Sequence, residues 1–110
     1  MVLGRVVLTG ACGMLGRHIW LTLSKADAEV VAFSRAKSAE ALGLDLTTWH
    51  DSSKLEKIFG GACAVIHAGA IVPGSKQKTE QEIYNANVRS CVNIGQWCLK
   101  RGVPMIYISG

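Results

Sequence analysis

No apolar run in this 110-residue sequence is long enough to cross a membrane, and Gly4, Arg5 and Gly10 interrupt the apolar N-terminus before it can resemble a secretory signal. The expected setting is the cytoplasm, with no membrane partner. The four cysteines, Cys12, Cys63, Cys91 and Cys98, include no CxxC pair, and His18, His50 and His67 are scattered without a close ligand pair. Reduced cysteines and no metal site are therefore expected, with two of the cysteines falling in apolar core segments. Lys and Arg leave a net charge of +4 but form no basic block and are not interleaved with aromatics, which argues against a nucleic-acid groove. Proline occurs only twice and low-complexity tracts are absent, so with 49% hydrophobic residues the composition is that of a globular fold.

Short apolar runs alternate with segments of helical spacing. Arg5 to Thr9 reads as a buried strand, followed by a helix from Met14 to Ser24 in which Leu15, Ile19 and Leu23 recur at helical intervals. Glu29 to Phe33 supplies a second strand and Leu42 to Leu44 a very short third. Thr48 with Asp51 resembles a capping box before a helix carrying Leu55, Ile58 and Phe59, which Gly60 and Gly61 end. Ala62 to His67 forms a fourth strand, and Met105 to Ile108 a fifth. Between them a long helix is expected from about Thr79 to Arg101, with Ile83, Val88, Val92 and Leu99 among its apolar positions and Gly102 as its stop. Strands without polar alternation, separated by helices, predict an α/β fold with a parallel sheet covered on both faces. The expected architecture is a doubly wound, Rossmann-type sheet of order 3-2-1-4-5, with the ligand crevice at the C-terminal ends of strands one and four.

Glycine is abundant where it counts. Thr9-Gly10-Ala11-Cys12-Gly13-Met14-Leu15-Gly16 sets three glycines at GxxGxxG spacing between the first strand and the first helix. Gly10 permits a tight turn, Gly13 lets a phosphate approach the backbone, and Gly16 allows close packing of helix on strand. The first-turn amides of Met14, Leu15 and Gly16, with the Cys12 backbone, then face a pyrophosphate at the favourable end of the helix dipole. Glycines serving only turns and packing would give the same spacing without a ligand. No Walker lysine follows, which argues against a P-loop phosphohydrolase.

These residues resemble the extended short-chain dehydrogenase/reductase family, the NAD(P)-dependent epimerases, dehydratases and reductases acting largely on nucleotide sugars. The family's TGxxGxxG matches Thr9 to Gly16, its acidic position after strand three matches Asp45-Leu46, its His-x-Ala-Ala matches His67-Ala68-Gly69-Ala70, and its Asn-Val matches Asn87-Val88. Gly69 replaces the usual first alanine, and Ser90-Cys91 stands where Gly-Thr often follows. The resemblance implies NAD(P) as cofactor, Asp45 at the adenine amino group, Ala68, Gly69 and Ala70 beside the nicotinamide-side ribose or phosphate, and Asn87 holding the region near the cofactor. A solvated strand end for Asp45 and simple packing for the alanines are the plainer alternatives. His67 is expected to act by position rather than chemistry.

After strand two an NAD site usually presents a carboxylate, whereas here Ser34 and Arg35 stand at that position and Lys37 follows. These residues favour NADP over NAD, through charge-assisted bonds to a 2′-phosphate, although Arg35 could equally be a solvated side chain. The family's catalytic Tyr-x-x-x-Lys is absent: Tyr84 is followed four positions later by Val88, and Tyr107 lies too near the end. Ser109 falls at the family's strand-five serine cluster as a cofactor-side candidate. No catalytic residue is therefore assigned. The expectation is the cofactor-binding part, residues 1–110, of a longer enzyme truncated after strand five. Its substrate would be a small molecule, a sugar nucleotide or related hydroxy/carbonyl compound, and its complete form leaves room for a homo-oligomer. The alternative is a stand-alone, non-enzymatic NAD(P)-sensing or protein-interaction module.

Overall fold

The computed structural model describes residues 4–34, 42–43, 52–69 and 79–108. Its centre is a parallel sheet of β1 (Arg5–Thr9), β2 (Glu29–Ser34), β4 (Ala64–His67) and β5 (Met105–Tyr107), in spatial order β2-β1-β4-β5. The two-residue β3 (Leu42–Gly43) pairs in parallel with Phe33 and Ser34 on the outer side of β2. In register, Thr9 lies beside Phe33 on one side and His67 on the other, and His67 lies beside Tyr107. The C-terminal ends of the strands are therefore aligned.

Alternation along the strands feeds two separate cores. Val6, Leu8, Ala32 and Ile66 face α1 (Met14–Lys25), where Ile19, Trp20 and Leu23 pack against them. Val7, Phe33 and Val65 face α2 (Ser52–Phe59) and α4 (Ser90–Arg101), meeting Leu55, Phe59, Ile94, Trp97 and Cys98. A sheet covered on both faces needs apolar residues at consecutive positions, which is why β1 reads Val-Val-Leu without alternation. On the second face the Phe59 ring meets Phe33 at 5.7 Å and Trp97 edge-on at 5.8 Å. The Trp97 indole also donates to Glu56 at 2.7 Å, and Glu56 pairs with Arg101 at 2.5 Å, so α2 and α4 share a polar clasp above the aromatic stack.

Several boundaries shift from the sequence expectation. Strand four begins at Ala64 rather than Ala62, because Gly61 and Ala62 still complete the exit from α2, and strand five ends at Tyr107. The anticipated Thr48–Asp51 cap lies outside the described residues. A capping box does occur at Thr79, whose hydroxyl accepts from the Glu82 amide at 3.1 Å while the Glu82 carboxylate accepts from the Thr79 amide at 3.1 Å. It opens α3 (Glu80–Tyr84), which continues through a π turn at Asn85–Arg89 into α4. Gly102, in the left-handed region at φ +69°, stops α4 as expected.

The long helix is turned differently from its apolar pattern. Val88, Val92 and Leu99, expected among the apolar positions, are exposed, and the core is reached by Ala86, Ser90, Ile94, Trp97 and Cys98. Two stripes of the helix are apolar enough to be buried; the small Ala86 and Ser90 let one of them approach closely, which the bulkier valines would prevent. Of the cysteines only Cys98 is fully buried, while Cys12 and Cys63 are exposed. Two core cysteines were expected, but Cys91 lies only half-buried.

Trp97→Ala should cost about 3–5 kcal/mol, through the cavity left beside Phe59 in the core. Leu99→Ala should stay within about 0.5 kcal/mol. Urea unfolding of both variants checks which stripe carries the helix.

Candidate functional site

At the C-terminal end of β1 the chain must turn sharply from strand into helix. Gly10 makes this turn at φ +68°, a conformation that disfavours any Cβ. A Cβ there would also lie 2.7 Å from the Ala68 carbonyl carbon and from the Gly69 nitrogen. The Ala11 amide then donates to the Phe33 carbonyl at 2.9 Å and the Gly13 amide to the Gly10 carbonyl at 3.1 Å, tying the loop to β2 and to itself. Gly16, fully inside the first turn of α1, packs on the Gly10 backbone so closely that a Cβ would lie 2.7 Å from the Gly10 carbonyl carbon.

Gly13 differs from both. Its φ of −73° is ordinary for any residue, and among the described residues a Cβ there would meet only the Gly10 carbonyl oxygen, at a normal contact distance of 3.4 Å. The fold thus requires glycine at 10 and 16, while at 13 the described residues leave a space that a side chain would occupy. Gly13 is also the N-cap of α1 and brings no side chain to accept from the first-turn amides. The amides of Met14, Leu15 and Gly16 precede the first intrahelical bond, which runs from the Arg17 amide to the Gly13 carbonyl at 2.9 Å. A helix start with free donors, a favourable dipole and room for a bulky anion suits a diphosphate. Cys12, Met14 and Leu15 are exposed at this mouth, and they contribute backbone rather than buried side chains.

Against the glycine loop stand Ala68, half-buried, and Gly69, buried. Their position is fixed by Thr9. The Ala68 amide donates to the Thr9 carbonyl at 3.3 Å, and the Gly69 amide donates to the Thr9 hydroxyl at 3.0 Å. The same hydroxyl lies 2.6 Å from His67 Nδ1. His67 is 1% exposed and stacks on Tyr107 at 5.8 Å, while its Nε2 has no hydrogen-bond partner. Burial penalises the imidazolium and lowers the His67 pKa to about 4, so the ring is neutral at physiological pH. Burial likewise pushes the Cys91 and Cys98 thiols up, which keeps them protonated and unreactive.

Ser34 ends β2, buried and partnered. Asn87 sits half-buried within the π turn, also partnered, and the amide and hydroxyl of Ser90 both donate to the Asn85 carbonyl that this wide turn exposes. Arg35, Asp45, Leu46, Ala70 and Ser109 lie outside the described residues. The sequence reading did not single out the Thr9 hydroxyl; the signal was its register beside His67, which only strand pairing reveals. Among the described residues no cluster of three His, Cys, Asp or Glu side chains forms a metal site, and no helix is long and apolar enough to cross a membrane.

The depressed His67 pKa has a definite pH consequence. Between the ordinary value of 6.5 and about 4, the unfolded chain binds a proton that the folded chain refuses. Stability therefore falls with decreasing pH across this window by about 1.4 kcal/mol per pH unit, roughly 3 kcal/mol in all, and this contribution levels off below it. His67→Asn should flatten that slope, as measured by urea unfolding at successive pH values.

The model of the family described as "NAD dependent epimerase/dehydratase family" matches residues 6–110. An uncharacterized protein of frog virus 3 is 31% identical over 93% of this chain, and a highly reducing polyketide synthase of Penicillium decumbens is 36% identical over 96%. The chain spans only 31% of the viral protein's length and 4% of the synthase's. Among solved structures, a mutant uronate dehydrogenase from Agrobacterium tumefaciens complexed with NAD superposes with a TM-score of 0.74 at 23% identity, over 96% of this chain and 40% of that one. The glycine turn, the uncapped helix start and the parallel sheet thus meet a family match covering nearly every residue: the chain belongs to the NAD dependent epimerase/dehydratase family and is an NAD(P)-binding chain.

Proposed function

We propose that the chain is the cofactor-binding part of an NAD(P)-dependent epimerase, dehydratase or reductase acting on a hydroxy/carbonyl substrate, with a sugar nucleotide as the substrate class. The observation that carries this reading is the space that the described residues leave at Gly13, directly before free helix amides, where none of them demands glycine. In this reading the pyrophosphate sits on the amides of the Gly10–Gly16 loop, against the Gly13 backbone. Ala68, Gly69 and Ala70 flank the nicotinamide side, Asp45 and Leu46 the adenine, and Asn87 and Ser109 border the same crevice. NAD(P) supplies a hydride acceptor or donor; the residues of this chain bind and orient it.

Residues 1–110 form the Rossmann unit with the order 3-2-1-4-5, β3 being part of its third strand, and the proton-transferring Tyr-x-x-x-Lys and the substrate pocket belong to the rest of a longer protein. A cytoplasmic setting and a homo-oligomer of that complete protein complete the reading. NADP is preferred over NAD through Arg35, which follows the buried Ser34 at the end of β2, since no carboxylate stands directly after β2 to accept the ribose hydroxyls.

Titration calorimetry of Gly13→Ala tests the site. The variant should unfold within about 1 kcal/mol of wild type, because its Cβ has room, yet bind NAD(P) at least tenfold more weakly. Gly16→Ala should instead destabilise the fold itself. Equal affinity in wild type and Gly13→Ala would remove the pyrophosphate from this loop. Arg35→Ala should weaken NADP more than NAD, and a wild-type preference for NAD of tenfold or more would refute the NADP assignment.

A further inference from the structure

The Thr9 hydroxyl has one proton and must serve two neighbours. It already accepts from the Gly69 amide at 3.0 Å, so its contact of 2.6 Å with His67 Nδ1 can be written two ways. If Nδ1 carries the proton, the Thr9 hydroxyl proton needs another acceptor and Nε2 is left as an unmet acceptor as well. If the hydroxyl donates to Nδ1, every polar atom of Thr9 is satisfied and only the Nε2 proton lacks a partner. The second arrangement leaves one orphan instead of two and is the cheaper one in a buried site.

We infer that His67 is a positioning residue: by accepting the Thr9 hydroxyl proton at Nδ1, it turns the Thr9 lone pair toward the Gly69 amide and so sets the far wall of the dinucleotide crevice. The wall matters because Ala68 and Gly69 also press on Gly10, where a Cβ would meet their backbone at 2.7 Å. A rotated Thr9 hydroxyl would release Gly69, and with it the surface against which the glycine turn is held. Stacking on Tyr107, the register neighbour of His67 on β5, fixes the ring in the plane this requires. His67 acts through Thr9 and touches no cofactor in this account. The inference rests on the proposed dinucleotide site.

The test compares four single variants and one double variant for NAD and NADP affinity by calorimetry, alongside their thermal unfolding. Asn places an amide oxygen near the position of Nδ1, whereas Gln reaches toward Nε2 and leaves Nδ1 unreplaced. His67→Asn should bind within threefold of wild type, while His67→Gln and His67→Leu should bind at least tenfold more weakly. Thr9→Val should show the same loss, and the Thr9→Val, His67→Leu double variant should be no worse than either single one, since both cut one link. Rescue by Gln rather than Asn, unchanged affinity in His67→Leu, or additive losses in the double variant would each overturn the inference. Should the His67 variants fail to fold, Thr9→Ser against Thr9→Val decides: Ser must retain affinity and Val must lose it, and equal affinity overturns the link. A wild type that binds neither dinucleotide would instead overturn the proposed function, and this role with it.

Discussion

Everything at the candidate site depends on how closely three stretches of backbone approach one another. The turn at Gly10 is wedged between Ala68–Gly69 on the exit of β4 and Gly16 in the first turn of α1, with no side chain intervening. That contact brings the N-terminus of α1 to the C-terminal edge of the sheet, where β1 and β4 end side by side. It also fixes which glycines serve folding. Those at 10 and 16 are demanded by neighbouring backbone, while the one at 13 faces space, and this separation lets binding be distinguished from packing within a single motif.

Polar burial follows the same geography. The buried polar residues among those described are Thr9, Ser34, His67 and Ser90. The first three are the last or near-last residues of β1, β2 and β4, and Ser90 follows the π turn of the long helix. The middle of the sheet is apolar on both faces, as a doubly covered parallel sheet requires, so polar groups are tolerated where strands end and backbone amides need partners. Thr9 meets that need for Gly69, and Ser90 meets it for the Asn85 carbonyl. Polar side chains at the C-terminal edge of the sheet thus help complete the loops that line the crevice.

Much of this was legible in residue order. Val6, Val7 and Leu8 without polar alternation announce a strand buried on both faces, and the glycines following Thr9 announce the turn and helix start. Legibility failed where two apolar choices compete. Val88, Val92 and Leu99 are hydrophobic enough for a core, but the approach of the helix to the sheet favours Ala86 and Ser90, and size rather than hydrophobicity decides. The π turn was hidden too, because it changes hydrogen bonding without changing composition. The Thr9–His67–Gly69 chain joins residues 58 and 60 positions apart, and strand register alone brings them together.

The arrangement also limits what these residues can do for a reaction. A pyrophosphate carries the same charge before, during and after hydride transfer, so amides that hold it bind ground state and transition state alike. Such contacts secure the cofactor and orient its reactive ring; they do not by themselves lower the barrier to the chemical step. His67, neutral and withdrawn from solvent, is poorly placed to exchange a proton with a substrate, and Tyr84 lacks a lysine four residues on. In the proposed enzyme, rate acceleration would therefore come from groups that respond as charge moves onto the substrate oxygen. In the proposed longer enzyme those groups would belong to the rest of the protein, and the precision with which the Gly10 turn and Ala68–Gly69 held the cofactor would determine how well they could reach it.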